Sequence, residues 1–240
     1  MNRSKVTVFI PTLNEANGLK RLLPEILRQQ VGQVLISDGN SRDGSEEIAR
    51  DHGVDFYVQK RPGIRHAYIE AWPMIRGDWV LTMSPDGNCI VEDISRLIEK
   101  IGAGYDMVIA SRYYGDAKSE DDDAITGFGN WLFTRTVNLL FKADYTDAMG
   151  IYRIYRTQLF YELGLNKEES YVMFERLFGT VMGIEPLLSV RSASHRCKVA
   201  EIGSDEPKRT DGERKLQVLR WGAAYYSQFL FEFAKGIGRK

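Results

Sequence analysis

Over its first 110 residues the chain repeats one pattern: a short β-rich run, a polar turn, then apolar residues at helical spacing. Val6–Ile10 is the first run and stops at Pro11. Leu19, Leu22, Leu23, Ile26 and Leu27 then recur three or four apart, which predicts a helix over 17–30 with Pro24 as its irregular point. Val34–Ser37, Phe56–Val58, Trp79–Met83 and Met107–Ala110 read as further strands. Glu46–His52, Gly63–Ile75 and Glu92–Ile101 read as the helices between them. Such alternation predicts an α/β fold, a parallel sheet with helices on both faces.

An open parallel sheet binds its ligands at the carboxyl ends of its strands. Four polar clusters fall there: Pro11-Thr12-Leu13-Asn14-Glu15, the turn Asp38 to Gly44, Ser84-Pro85-Asp86-Gly87-Asn88, and Ser111-Arg112-Tyr113. Any one of them reads as a plain turn. Four at one end of one sheet predict a site. No G-x-G-x-x-G and no Walker A sequence follows the first strand, which disfavours dinucleotide and P-loop chemistry. Asp86 and Asn88, two apart on an extended segment, point the same way and offer oxygen ligands suited to Mg²⁺ or Mn²⁺.

The second half changes character. Residues 116–123 form an acidic segment expected to be a flexible loop. Helices are expected over 127–141, 153–163 and 170–182, and a strand over 198–202. The stretch 216–237 carries Trp221, Tyr225, Tyr226, Phe229, Phe231 and Phe233. The expected division is a catalytic domain over 1–215 and a C-terminal amphipathic helix over 216–240.

Composition removes several classes of function. With 32 basic and 33 acidic residues the net charge is −1, so no general grip on nucleic acid is expected. Cys89 and Cys197 are too few for a disulfide framework, and three scattered histidines suggest no metal cluster. No run of 18 apolar residues marks a membrane span, and the first residues read as a strand rather than a signal peptide. A cytoplasmic protein is expected, open to peripheral attachment on the cytoplasmic membrane face. The aromatic stretch 216–237 fits an interfacial helix, with Arg239 and Lys240 as a weak basic end.

Taken in order, PTLNE, ISDGNSRDGS, GDWVLTMSPDGN, ASRY and TDAMGIYRIYR resemble the segments of family 2 glycosyltransferases with the GT-A fold. The nearest type is the dolichol-phosphate mannosyltransferase branch, the polyprenyl-phosphate sugar synthases. The resemblance is clear over 5–160 and weaker over 198–216. It implies that Pro11, Leu13 and Glu15 cradle the nucleoside of a nucleotide-sugar and that Asp38 meets its base. It places Arg61, Gly63, Arg65 and Ala67 opposite the donor. It assigns Asp86 and Asn88 to the metal, Arg112 to the phosphates, and Asp147, Gly150 and Arg153 to a D-x-x-G-x-x-R pattern beside the donor sugar. Arg209 and Lys215 resemble a basic pair facing phosphates. One departure stands out: Ser84 occupies the position where the family usually has the first Asp of Asp-x-Asp.

The implied activity is inverting transfer of mannose or glucose from a GDP- or UDP-sugar to a polyprenyl or dolichyl phosphate. Asp86, Arg112 and Asp147 are the expected catalytic residues. A phosphate acceptor is already anionic and needs no strong base. A sugar hydroxyl acceptor, the same-class alternative in polysaccharide or glycolipid synthesis, would need one, with Asp147 the first candidate. Ser84 keeps open a third reading, nucleotide-sugar binding without turnover.

Overall fold

The computed structural model describes residues 1–209 and 218–237. β1 (Val6–Thr12) is buried along its whole length, as an apolar run inside a two-faced sheet should be. α1 (Ala16–Arg28) buries Leu19, Leu22, Leu23 and Ile26 and runs through Pro24. The carbonyl that Pro24 strands belongs to Lys20, which is exposed, so water can serve it. β2 (Gln33–Asp38), α2 (Ser45–Asp51), β3 (Asp55–Val58), α3 (Ile64–Ala71), β4 (Trp79–Thr82), α4 (Asp93–Ile101) and β5 (Met107–Ser111) follow. They match the expected alternation to within a residue or two, except that α3 stops at Ala71. Pro73 falls in the 3-10 turn Trp72–Met74 that replaces its last turn.

The second half contributes α5 (Ala124–Phe141), β6 (Arg153–Arg156), α6 (Leu159–Glu162), α7 (Val172–Phe178), α8 (Glu185–Ser194), β7 (Val199–Gly203) and α9 (Val218–Ile237). The helix expected over 153–163 is therefore a strand in its first four residues. Its Tyr-Arg-Ile-Tyr-Arg run has period two: Ile154 packs into the core on one face of the sheet and Tyr155 into the core on the other. Only Leu159–Glu162 is helical. The helix expected over 170–182 is confined to α7, which ends at Gly179 with φ +62°.

The seven strands lie in the order β3-β2-β1-β4-β6-β5-β7. All pairs are parallel except those of β6, which is antiparallel to both β4 and β5. One face carries α1 and α4. The other carries an aromatic core in which Trp72 stacks on Phe160 at 4.0 Å and on Tyr155 at 6.1 Å.

α9 belongs to that second core. Ala224 and Phe229 are fully buried, the Tyr225 hydroxyl accepts from the Gly183 amide at 2.7 Å, and Glu232 pairs with Arg191 of α8. The amphipathic helix expected as a separate unit thus packs against the body of the fold. The acidic segment 116–123 is likewise tied down. Its Ser119 bridges to Glu206, the Glu120 amide donates to the Glu206 carbonyl at 2.8 Å, and Asp123 closes a capping box at the start of α5. Among the described residues no helix is long and apolar enough to cross a membrane.

Candidate active site

The carboxyl ends of β1, β2, β4 and β5 open into one cavity of about 890 Å³. Pro11, Thr12, Leu13 and Glu15 form its β1 edge. Glu15 folds back so that its carboxylate accepts from the Thr12 hydroxyl at 3.0 Å and the Leu13 amide at 3.2 Å. From β2 it is Gly39 that reaches the cavity, not Asp38. Both Asp38 oxygens are taken by Ser41, from its amide at 2.7 Å and its hydroxyl at 2.5 Å. The expected base contact is instead a buried residue that closes an Asx-type turn.

Beyond β4, Ser84, Asp86 and Asn88 all line the cavity. Asp86 is almost wholly buried and lies 3.6 Å from Nη1 of Arg209. Burial pushes its carboxyl above the usual range, and the Arg209 charge and the Ser84 hydroxyl only partly offset this. Asn88 donates through Nδ2 to Glu206 at 3.3 Å. Among the described residues no group of three or more His, Cys, Asp or Glu side chains is placed to hold a metal. What stands here is one carboxylate and one amide, with Glu206 bonded to the amide. All are oxygen donors of the kind a hard cation takes alongside substrate phosphates.

Beyond β5, Arg112 lines the cavity and grips Asp147 from behind: Nε to Oδ2 is 2.6 Å and Nη2 to Oδ1 is 3.1 Å. Its Nη1 meets Asp122 at 3.5 Å and Glu206 at 3.4 Å. Asp147 is fully buried, is not part of the cavity wall, and also accepts from the Met149 and Gly150 amides. Burial alone would raise its carboxyl, but the Arg112 charge and hydrogen bonds hold it below the usual range. Asp147 is therefore no accessible base, and it bears on the cavity through the residues it holds, Arg112, Met149 and Gly150. Arg153 is buried against the Ala148 and Gly150 carbonyls and Ser189.

The segment after β3 divides. Gly63 and Ala67 line the cavity. Gly63 has φ +105°, and a Cβ there would sit 2.6 Å from Val181, so only glycine fits. Arg61 pairs with Glu70 at 2.9 Å and with Glu168. Arg65 is turned away from the cavity, forked onto Glu175 of α7 at 3.0 and 2.6 Å beneath the Tyr171 ring. The expected donor contact is in fact a brace between α3 and α7. Arg209 lines the cavity and forks onto Asp121, with Nη2 to Oδ2 at 2.6 Å. Lys215, with 210–217, lies outside the described residues.

The model for glycosyl transferase family 2 matches residues 7–164. The chain belongs to glycosyl transferase family 2. Glycosyltransferase AglJ of Haloferax volcanii is 26% identical over 232 residues, covering 96% of this chain and 72% of that protein. An undecaprenyl-phosphate 4-deoxy-4-formamido-L-arabinose transferase of Pseudomonas aeruginosa is 29% identical over 236 residues. The match covers 90% of this chain, and this chain spans only 61% of that relative's length. Glucosyl-3-phosphoglycerate synthase of Mycobacterium tuberculosis, solved with Mn²⁺ and UDP-glucose, shares the fold with a TM-score of 0.64 at 17% identity, over 96% of this chain and 79% of that one. The family 2 chain is a glycosyltransferase with the GT-A fold.

Among the cavity residues of this family 2 chain that its sequence does not single out are Asp121, Asp122, Asn130 and Glu206. Asp121 and Asp122 belong to the acidic run, which reads as a solvated loop unless its arginine partners are known. Glu206 sits 94 residues from Arg112, and no spacing rule joins the two.

Proposed function

We propose that the protein transfers a sugar, with inversion, from a nucleoside-diphosphate sugar to a polyprenyl phosphate. One observation carries this reading. The same cavity joins a charged end, where Arg112 and Arg209 stand among Asp86, Asp121, Asp122 and Glu206, to an apolar wall from α5 and α9 that includes Phe133, Trp221 and Tyr225. A diphosphate suits the first and a lipid chain the second. The names of the relatives support it, since the Pseudomonas protein acts with undecaprenyl phosphate.

In the proposed reaction an oxygen of the acceptor phosphate attacks the anomeric carbon. The bond from that carbon to the diphosphate breaks, and the nucleoside diphosphate leaves with the electron pair. Arg112 and Arg209 face the departing charge, where preorganised cations act most strongly. A phosphate monoester carries its negative charge at neutral pH, so the attack needs no base. Asp147 is closed off from the cavity, so a hydroxyl acceptor would have to use another carboxylate of the wall, such as Asp122 or Glu206. Asp86 and Asn88 would hold Mg²⁺ or Mn²⁺, and such a cation supplies further neutralisation of the leaving diphosphate. Glu15, Leu13 and Pro11 form the wall for the nucleoside.

Membrane contact fits the surface of α5. Ile125, Phe128, Trp131 and Leu139 are all exposed on it, and the Phe128 and Trp131 rings stack at 5.7 Å. Aromatic residues on one helix face suit the headgroup region.

The test is direct. The purified protein is offered a panel of GDP- and UDP-sugars with Mg²⁺ or Mn²⁺ and a short polyprenyl phosphate. Formation of the lipid-linked sugar is followed by chromatography. Nucleotide binding with no transfer from any donor would overturn the reading in favour of binding without turnover.

A further inference from the structure

Thr126, Gly129, Asn130 and Phe133 recur at helical spacing along α5 and line the cavity. Asn130 is out of keeping with its setting. It is only 7% exposed, and its Oδ1 has no hydrogen-bond partner among the described residues. A stranded buried amide oxygen costs free energy, and native proteins retain few of them.

Beside it, a Cβ added to Gly129 would meet no atom within 4 Å. Glycine inside a helix is itself unfavourable. An unsatisfied amide oxygen, itself closed to solvent, and open space at the neighbouring residue therefore lie together in the cavity wall. Their position is fixed from both ends. One turn on, the Thr134 hydroxyl accepts from the Ala148 amide at 3.1 Å, next to Asp147. Just before α5, Asp122 meets Arg112. The stretch of α5 that carries Asn130 is thus strung between one attachment to Arg112 and one to Ala148, the residue after Asp147.

We propose that Asn130 hydrogen-bonds a hydroxyl of the donor sugar and sets which sugars are accepted. The proposal rests on the glycosyl-transfer reading above. An amide offers one donor group and one acceptor group, and a hydroxyl is the substrate group that answers both. A phosphate oxygen only accepts and would leave Oδ1 stranded, while a prenyl chain offers neither. Sites built to bond a hydroxyl reject the analogue lacking it strongly, because the protein's polar group is then left unpaired.

The experiment compares wild type, Asn130→Ala and Asn130→Leu on the best nucleotide-sugar donor and on deoxy analogues that each lack one hydroxyl. kcat/KM, nucleoside diphosphate affinity and thermal stability are measured together. Wild type is expected to lose about 10²-fold or more on one analogue. Both variants lose a similar factor on the parent donor and treat that analogue and the parent alike. Nucleoside diphosphate binding stays within about twofold, and Asn130→Leu melts no lower than wild type, since it removes a stranded polar group. Discrimination across all analogues retained in both variants overturns the proposal. So does an equal loss on every donor with a lowered melting temperature, which marks a purely structural role. Absence of transfer from any donor by wild type overturns the glycosyl-transfer reading itself, and this proposal with it.

Discussion

Arg112 and Asp147 form a two-bond fork, at 2.6 and 3.1 Å, that joins the end of β5 to the loop before β6. Only the arginine reaches the cavity. The carboxylate behind it is saturated by four donor groups, two of them backbone amides. Such an arrangement aims a fixed positive charge at a place where negative charge is to develop.

Asp147→Asn keeps the shape and removes the charge that holds Arg112. Arg112 keeps Asp122 and Glu206 as partners, so the loss is that of a charged hydrogen-bonded pair, about 1.5–3 kcal/mol, to be read from urea denaturation. A loss of aim at a phosphate-binding cation is expected to lower kcat/KM by about 10²-fold. The pH dependence has a definite sign. Asp147 is held below its usual value of 3.8, so its stabilisation is full above that value and is lost as pH falls through the lower folded value. Melting temperatures taken below pH 4 should therefore drop more steeply for wild type than for the asparagine variant.

Asp86→Ala should abolish divalent-cation-dependent transfer while leaving the fold intact. Burial works against the Asp86 charge, so removing it relieves a cost rather than a support. EDTA should silence the wild type, and added Mn²⁺ or Mg²⁺ should restore it. Full activity in the alanine variant would show that the metal is held elsewhere. With Ser84 in place of a second carboxylate, the site depends on this one residue more than a paired site would.

Asp121 and Arg209 make opposite predictions for nucleotide affinity. Arg209 must give up part of its fork with Asp121 to turn to a diphosphate. Arg209→Ala should weaken nucleoside diphosphate binding by about tenfold or more, the range of a lost charge-assisted bond. Asp121→Asn should strengthen it by a few-fold. Calorimetric titration of both variants at fixed ionic strength decides the matter. A weaker Asp121→Asn complex would mean that the carboxylate helps to hold the ligand.

Replacing Phe128 and Trp131 together by serine removes exposed apolar surface and disturbs no buried contact of the sheet. Sedimentation with anionic liposomes should fall several-fold. Turnover of a short, water-soluble acceptor should stay within about twofold, as expected for surface substitutions away from the site. Unchanged sedimentation would place the membrane contact on another surface.

Much of the frame is legible in the sequence. The strands β1, β2, β4 and β5 announce themselves because each is an apolar run that gives way to a polar turn, at Asn14, Asp38, Ser84 and Ser111. The cavity edge at Pro11, Leu13, Glu15, Asp86, Asn88 and Arg112 followed from that end rule. The misreadings share one cause: a side chain's direction depends on a partner distant in sequence. Arg65 turns to Glu175, 110 residues away, and Asp38 is consumed by its own loop. β6 read as helical because Leu159, Phe160 and Leu163 follow it at helical spacing, and its own period-two run is only four residues long.

The place of β6 also bears on how the molecule assembles. β4 and β5 are adjacent in sequence but are held apart by a strand that arrives about forty residues later. Until Arg153–Arg156 has left the ribosome, β4 has one open side and β5 lacks its partner. The first 111 residues carry most of the donor-binding motifs, yet they form an incomplete sheet with an unpaired inner edge. Pairings that wait for distant segments are slow, and exposed edges invite the wrong neighbour. Expression of a domain trimmed at Ser111 should yield aggregate, and the whole chain has reason to fold only once β6 is in place.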